Sequence, residues 1–495
     1  MKSQTQRVAK SSDTGVATAS DDQPPSEPDP HVASHVATAI ARPLKASVPA
    51  VDLSHREFPD DPFWRRIPAF ADVDLETFLD PAFQNRHSVT SAAGLRELVG
   101  PLVHPDFLLD VEAGLRQAPM NMRLSPYVMS RIDWADPYAD PVRRQFLPLA
   151  STRLPDHPRL TLDSLHEQAD SPTPGLVHRY PDKALFLALD VCPVYCRFCT
   201  RSYAIGGSTP TVSKQGYKPQ AARWQASLDY LASRPEIEDV VLSGGDSFML
   251  PARMLRELLF ALLAIPHIRR VRVASKGPAV MPMKILRDTA WTDALCEAVD
   301  HGRAHGQEVC LHTHFNAPEE ITFITQQALD VLFRRGVKVR NQSVLIRGVN
   351  DTPERMVRLV RRLSAINVQP YYVYQHDMVK GVEELRTTLA ESIELERWVR
   401  GATAGFNTPT FVMDAPGGGG KRDLHSYDRY DETTGISVYR SPAVDPTRYY
   451  LYFDPLDRLP AEGRRRWRDP SEHRRMIREV VMAAGLSALE PAIAI

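Results

Sequence analysis

Cysteine is scarce in this chain, and neither sign of charge prevails. Five cysteines among 495 residues exclude the disulfide framework of a small secreted scaffold. Three of the five stand together, Cys296 and Cys310 are scattered, and none follows Cys310. That usage predicts a reducing, cytoplasmic setting. The formal net charge of −1 offers no global attraction to nucleic acid or to an anionic membrane, so neither is expected as a partner. No run of eighteen apolar residues is present, so no transmembrane helix is expected. The N-terminus lacks the apolar core of a signal peptide, and Asp13, Asp21 and Asp22 argue against a transit peptide. What remains is an ordinary globular composition, 43% hydrophobic and 24% charged, long enough for one large or two to three ordinary domains.

Residues 1–55 read as a disordered tail, because DDQPPSEPDP is rich in proline and acid and no apolar periodicity lies near it. Residues 56–177 read as a helical N-terminal region, with helices expected around 91–100 and 106–117 and an irregular, proline-rich stretch from 120 to 182. From 183 a regular alternation begins. Apolar strand-like runs fall at 183–190, 239–243, 269–275, 308–313, 338–346 and 370–375, with amphipathic stretches such as 252–264 and 353–365 between them. Buried strands alternating with helices predict parallel strands with outer helices, here a partial (β/α)6 barrel over 178–405. A further run, PTFVMD at 409–414, leads into APGGGGK, tyrosine-rich segments and a basic amphipathic helix expected to pack one face on the body. Residues 406–495 form this last region.

In a β/α barrel the chemistry sits at the carboxyl ends of the strands. Here Cys192, Cys196 and Cys199 follow the first run, SGGDS the second, SKGP the third, HFN the fourth and HD the sixth. Three thiols at spacings of three and two residues point to an iron–sulfur cubane with one open iron, since such a cluster normally takes four thiolates. Closed zinc ligation is the alternative, and expects a fourth donor. Alone, SGGDS reads as a strand-to-helix turn with an aspartate cap. His312 and His314, two apart, raise a metal reading that no third donor at compatible spacing supports.

The stretches VHRYPDKALFLALDVCPVYCRFCTR, VVLSGGDSFML, NQSVLIRGVND, PYYVYQHD and DAPGGGGK together resemble the lysine 2,3-aminomutases of the radical S-adenosylmethionine superfamily, over about residues 64–450. The resemblance implies three cofactors: a 4Fe–4S cluster on the three cysteines, S-adenosyl-L-methionine on the open iron, and pyridoxal 5′-phosphate in Schiff-base linkage to Lys421. It implies a 5′-deoxyadenosyl radical that abstracts a β-hydrogen while the amino group moves from Cα to Cβ. Gly244, Gly245 and Asp246 are then expected at the methionine moiety, and Ser275, His314, Asn341 and Gln342 at the nucleoside or its neighbour. Arg179 and Lys183 are expected at the cofactor phosphate. Lys183 stands where arginine is expected, giving a point charge in place of a fork.

By the same resemblance Arg201 takes the substrate α-carboxylate, and Asp377 with Asp414 receives a distal ammonium. Two acids in one pocket select a cation, so lysine is expected, with arginine and ornithine as alternatives. An electron donor of the flavodoxin or ferredoxin type and a homo-oligomer are implied as well. The chain departs from the family twice. It has no C-terminal cysteines for the zinc site of well-known bacterial members, and Phe198 stands where histidine is common. A non-catalytic iron–sulfur or zinc redox sensor, or a degenerate binding homologue, has no use for Lys421 and the acid pair.

Overall fold

The apolar runs become strands because burial on both faces suits them. In a computed structural model that describes residues 53–493, they line up as β2 (Lys183–Leu189), β3 (Asp239–Gly244), β4 (Arg270–Ala274), β5 (Glu308–Thr313), β6 (Lys338–Val344), β7 (Gln369–Tyr374) and β8 (Thr410–Ala415). All pair in parallel, in sequence order. PTFVMD thus supplies a seventh parallel strand beyond the six expected. Two antiparallel strands flank the seven, β1 (Leu176–Tyr180) against β2 and β9 (Gly420–Asp423) against β8. β1 lies in the stretch expected to be irregular. It is short, and only its first two residues are fully buried.

Helices Ala221–Ala232, Ala252–Leu263, Thr289–Ala304, Phe323–Arg334, Pro353–Ala365 and Leu389–Val399 occupy the six crossovers. Each shows its apolar stripe to the sheet. In Ala252–Leu263 the buried residues are Leu255, Leu258, Leu259, Leu262 and Leu263, at helical spacing. Near the amino ends of the strands the ion pairs Asp239–Arg272 (2.7 Å) and Glu308–Arg340 (3.1 Å) make a polar floor.

The tail expected at 1–55 lies outside the described residues, apart from its last few, where Ser54–Arg56 is a 3-10 turn. Helices Ala92–Val99, capped by Ser91 (3.1 Å to Gly94 N), and Pro105–Gln117 stand where expected. The N-terminal segments reach the barrel through Tyr127, whose hydroxyl meets Thr322 (2.9 Å) and Thr325 (2.8 Å). At the other end β10 (Arg429–Asp431), β11 (Ile436–Ser441) and β12 (Asp445–Phe453) form an antiparallel sheet, with β13 (Glu490–Pro491) added in parallel. Helix Pro470–Ala483 buries Met476, Ile477, Val480 and Val481, as its pattern predicts. Among the described residues no helix is long and apolar enough to cross a membrane.

Candidate active site

The loop after β2 carries the three cysteines, all free thiols and all partly buried. Its backbone is anchored between them. Arg197 is buried in an ion pair with Glu384, its main-chain N–H donates to Gln145 O (3.0 Å), and its Nη1 donates to Arg144 O (3.1 Å). Phe198 stacks on His314 with ring centroids 5.5 Å apart, and packs with Ile346, Val379 and Leu385. Burial pushes the three thiols up, Cys196 to about 12. As bare thiols they stay protonated at neutral pH, and a cationic iron centre would supply the charge that draws them to thiolates. Among the described residues no three His, Cys, Asp or Glu side chains converge on a single ion, as closed zinc ligation requires. Three thiols, Cys192 near enough to feel the other two, would suit an iron–sulfur cluster.

SGGDS closes against this loop. Gly245 N donates to Leu189 O (2.6 Å) and Asp246 N to Val191 O (3.0 Å). A Cβ on Gly244 would strike the Leu189 carbonyl, and one on Gly245 the Val191 main chain. The close approach that demands glycine is therefore to the end of β2 and the start of the cysteine loop. Asp246 is a cap, as its position in a strand-to-helix turn suggests. Its Oδ1 accepts from Phe248 N (2.9 Å) and its Oδ2 from Lys276 N (2.8 Å). Ser275 Oγ accepts from Gly277 N (2.8 Å) in the same turn.

Asn341 and Gln342 are adjacent on β6 and so point to opposite faces. Asn341 is buried and fully engaged, with Oδ1 on Phe315 N (2.6 Å) and Nδ2 on Phe315 O (3.1 Å) and Ser343 Oγ (2.8 Å). Gln342 faces the barrel interior between His312 (2.7 Å) and the Tyr374 hydroxyl (3.2 Å). His312 is held down to about 3 by burial, with Arg272 and Arg340 adding to it. His314 is held well below its usual range by burial and by Lys276. Both rings are neutral.

Lys421 is presented by a hairpin. β8 and β9 pair so that Asp414 and Lys421 lie directly opposite, and the four glycines make the turn between them. The turn is a packed one. Gly420 has φ +71° and would place a Cβ 2.5 Å from the Tyr180 hydroxyl, which accepts from Lys421 N (2.8 Å). Lys421 Nζ lies 3.4 Å from Asp414 Oδ2 and 5.4 Å from the centre of the Tyr374 ring. Its side chain keeps 34% of its exposure, Asp414 11%. Burial works against the ammonium, but Asp414, Tyr374 and Tyr180 outweigh it and hold its pKa well above the ordinary range.

The acids converge around this lysine. Asp414 Oδ1 is buried with no hydrogen-bond partner. Asp377 follows β7 and is buried; burial, then Asp414, raises its carboxyl well above the usual range, while Lys421 and Arg201 act the other way. Of the expected phosphate ligands, Arg179 Nε pairs with Asp170 (2.7 Å) and its Nη2 with Leu165 O, beside Gly418. Lys183 Nζ lies 4.1 Å over the Tyr180 ring and 3.3 Å from Asp182. An ammonium, an arginine beside a glycine turn and a buried unpaired acceptor together suit a carbonyl cofactor with an anionic tail and a cationic substrate.

Arg201 is held by a residue that sequence reasoning missed. Glu167 takes it in a two-point pair, Nε–Oε2 2.9 Å and Nη2–Oε1 2.7 Å, and accepts from the Tyr203 hydroxyl (3.0 Å). No periodicity marks Glu167, which lies in an irregular segment 34 residues before its partner. Tyr180 and Tyr374 were missed too; strand alternation could have put Tyr374 inside the barrel.

The family model described as Lysine-2,3-aminomutase matches residues 395–427. An L-lysine 2,3-aminomutase of Clostridium subterminale is 39% identical over 359 residues, covering 72% of this chain and 80% of that protein. Another of Bacillus subtilis is 36% identical over 362 residues, covering 72% and 71%. A glutamate 2,3-aminomutase of Clostridioides difficile is 35% identical over 301 residues, covering 61% and 67%.

Proposed function

Because this chain belongs to the lysine 2,3-aminomutase family, we propose that it moves the α-amino group of L-lysine to the β-carbon, giving β-lysine. It is an isomerase of the radical S-adenosylmethionine type, with a 4Fe–4S cluster and pyridoxal 5′-phosphate. The observation that carries lysine is the buried pair Asp377 and Asp414, the latter with an unpartnered Oδ1. Similarity alone does not select lysine, since a relative bears the name glutamate 2,3-aminomutase. A substrate carboxylate about 4 Å from either acid in its ionised form would be repelled by roughly 4 kcal/mol at an effective dielectric of about 20. An ammonium gains the same. Arginine and ornithine share that preference.

When bound, the cluster with S-adenosylmethionine supplies one-electron chemistry, and pyridoxal phosphate supplies the conjugated carbonyl that takes up the amino nitrogen. The chain's own residues do the rest. Cys192, Cys196 and Cys199 hold the cluster, and Gly244, Gly245, Asp246 and Ser275 shape the wall beside it. His314, neutral and stacked on Phe198, faces the nucleoside side. Asn341 acts at one remove, by fixing the Phe315 turn. Lys421 anchors the pyridoxal carbonyl, with Arg179 and Lys183 toward its phosphate. Arg201 takes the substrate α-carboxylate, so the amino acid is held at both ends and cannot turn. We further take the enzyme to be cytoplasmic and homo-oligomeric, with its electron supplied by a flavodoxin- or ferredoxin-type donor.

Anaerobic reconstitution with iron, sulfide, pyridoxal phosphate, S-adenosylmethionine and reductant tests this, with L-lysine, L-arginine, L-ornithine and L-glutamate in parallel. β-Lysine is the expected product. No β-lysine, with turnover of another amino acid, would overturn the substrate. Lys421→Ala is expected to lose the visible absorbance of lysine-bound pyridoxal.

A further inference from the structure

Arg201 and Arg179 stand beside the two acids that the pocket needs free. Asp377 feels Arg201, and Arg179 feels Asp414. Left to themselves, the arginines would settle on those acids, and the pocket would lose its cationic and its anionic end together. One irregular segment, residues 163–171, stands in the way. Its Glu167, only 5% exposed, takes both Nε and Nη2 of Arg201. Its Asp170 takes Nε of Arg179, and the Leu165 carbonyl takes Nη2. The Ser164 carbonyl accepts from Gly417 N (3.0 Å), in the turn that presents Lys421.

The segment is built to hold these side chains. His166, just before Glu167, has φ +54°, a conformation that L residues rarely adopt and that persists only where surroundings impose it. The Asp163 carboxylate accepts from the N–H groups of Glu167 (2.9 Å) and Gln168 (3.1 Å). His178 N donates to the Asp170 carbonyl (2.9 Å), tying the segment to β1. Each arginine has one edge of its guanidinium fixed by this segment, which leaves the rest of its N–H donors for a ligand.

We propose that Glu167 and Asp170 are positioning residues that keep two arginines off the acid pair and assign them to two different anions, Glu167 aiming Arg201 at the substrate α-carboxylate and Asp170 aiming Arg179 at the cofactor phosphate. This rests on the reading of the site given above. It makes the two variants separable, which a merely structural role would not.

The test uses full-length protein with cluster and pyridoxal phosphate reconstituted. Calorimetry compares binding of L-lysine with that of L-lysinamide, which lacks the carboxylate; desalting followed by visible absorbance measures pyridoxal retention. Glu167→Gln is expected to weaken L-lysine about tenfold, the order seen when a supporting partner is removed, and to shrink the lysine-over-lysinamide preference. Its pyridoxal retention stays at the wild-type value. Asp170→Asn is expected to raise the pyridoxal phosphate Kd about tenfold and to leave the preference unchanged at saturating cofactor. Should Glu167→Gln fold poorly, Tyr203→Phe removes one contact to the same carboxylate and is expected to shift the preference less, in the same direction. An unchanged preference in Glu167→Gln or in its substitute, or equal loss of both quantities in both variants, overturns the proposal. If wild type binds another amino acid in place of lysine, the substrate reading fails, and Glu167 is judged on that amino acid and its amide.

Discussion

Asp377 is buried close to a second carboxylate, and its protonation shows what the pocket is for. Its raised pKa means that the folded protein holds the proton more tightly than the unfolded chain does. Ionising it therefore costs stability as pH rises from the ordinary carboxylate range through the raised value. Below that range the cost is absent. Asp377→Asn should accordingly raise Tm at neutral pH and leave it nearly unchanged at pH 4, a trade of binding for stability. A bound ammonium reverses the shift, so L-lysine binding to wild type should release a proton, and binding to Asp377→Asn should not. Calorimetry in buffers of different ionisation enthalpy measures this, and equal proton release from both would refute it. Asp377, Asp414 and Lys421 were named through the resemblance that PYYVYQHD and DAPGGGGK carry, and each lies in or just beyond a strand of the barrel. Glu167 was not, because its partner is reached through folded space alone. Asn341 and Gln342, expected together at the nucleoside or its neighbour, lie on opposite faces of β6, Gln342 toward the barrel interior and Asn341 against Phe315.

At the scale of elements, the hairpin β8–β9 turns a glycine run into a lysine mount. Gly420→Ala meets two obstacles, a φ of +71° and a Cβ 2.5 Å from the Tyr180 hydroxyl. Gly401 separates them, since its φ is +92° and nothing lies within 4 Å of its Cβ. Gly401→Ala should cost only the backbone term, about 1–2 kcal/mol, with pyridoxal retention intact. Gly420→Ala should also lose retention. Equal retention in the two variants would show that the turn's packing is irrelevant to the cofactor. Six of the seven parallel strands were readable as such because strands buried on both faces become continuous apolar runs, and the seventh, PTFVMD, was read only as a further strand-like run. The flanking β1 was not, being short and half-exposed, and the sheet of β10–β13 was visible only as tyrosine-rich text.

For the whole molecule, a hydrogen bond at the active site joins the two edges of the open sheet. β1 and β9 are the two outermost strands of the nine, and Tyr180 of β1 accepts the Lys421 N–H of β9. A contact that joins the two edges thus also fixes the backbone of the lysine. Tyr180→Phe removes the acceptor and leaves a partly buried N–H unpaired, at a cost of about 1–3 kcal/mol. The core strands β3 to β6, each held on both sides by parallel partners, do not depend on it. Hydrogen exchange should therefore speed up at β1 and β9 and stay unchanged at β3 to β6, with weaker pyridoxal retention. A ligand that binds only the closed barrel stabilises it by mass action, so saturating pyridoxal phosphate should restore slow exchange at the two edges. Exchange that rises evenly through the sheet, or edges indifferent to the cofactor, would separate closure from the site.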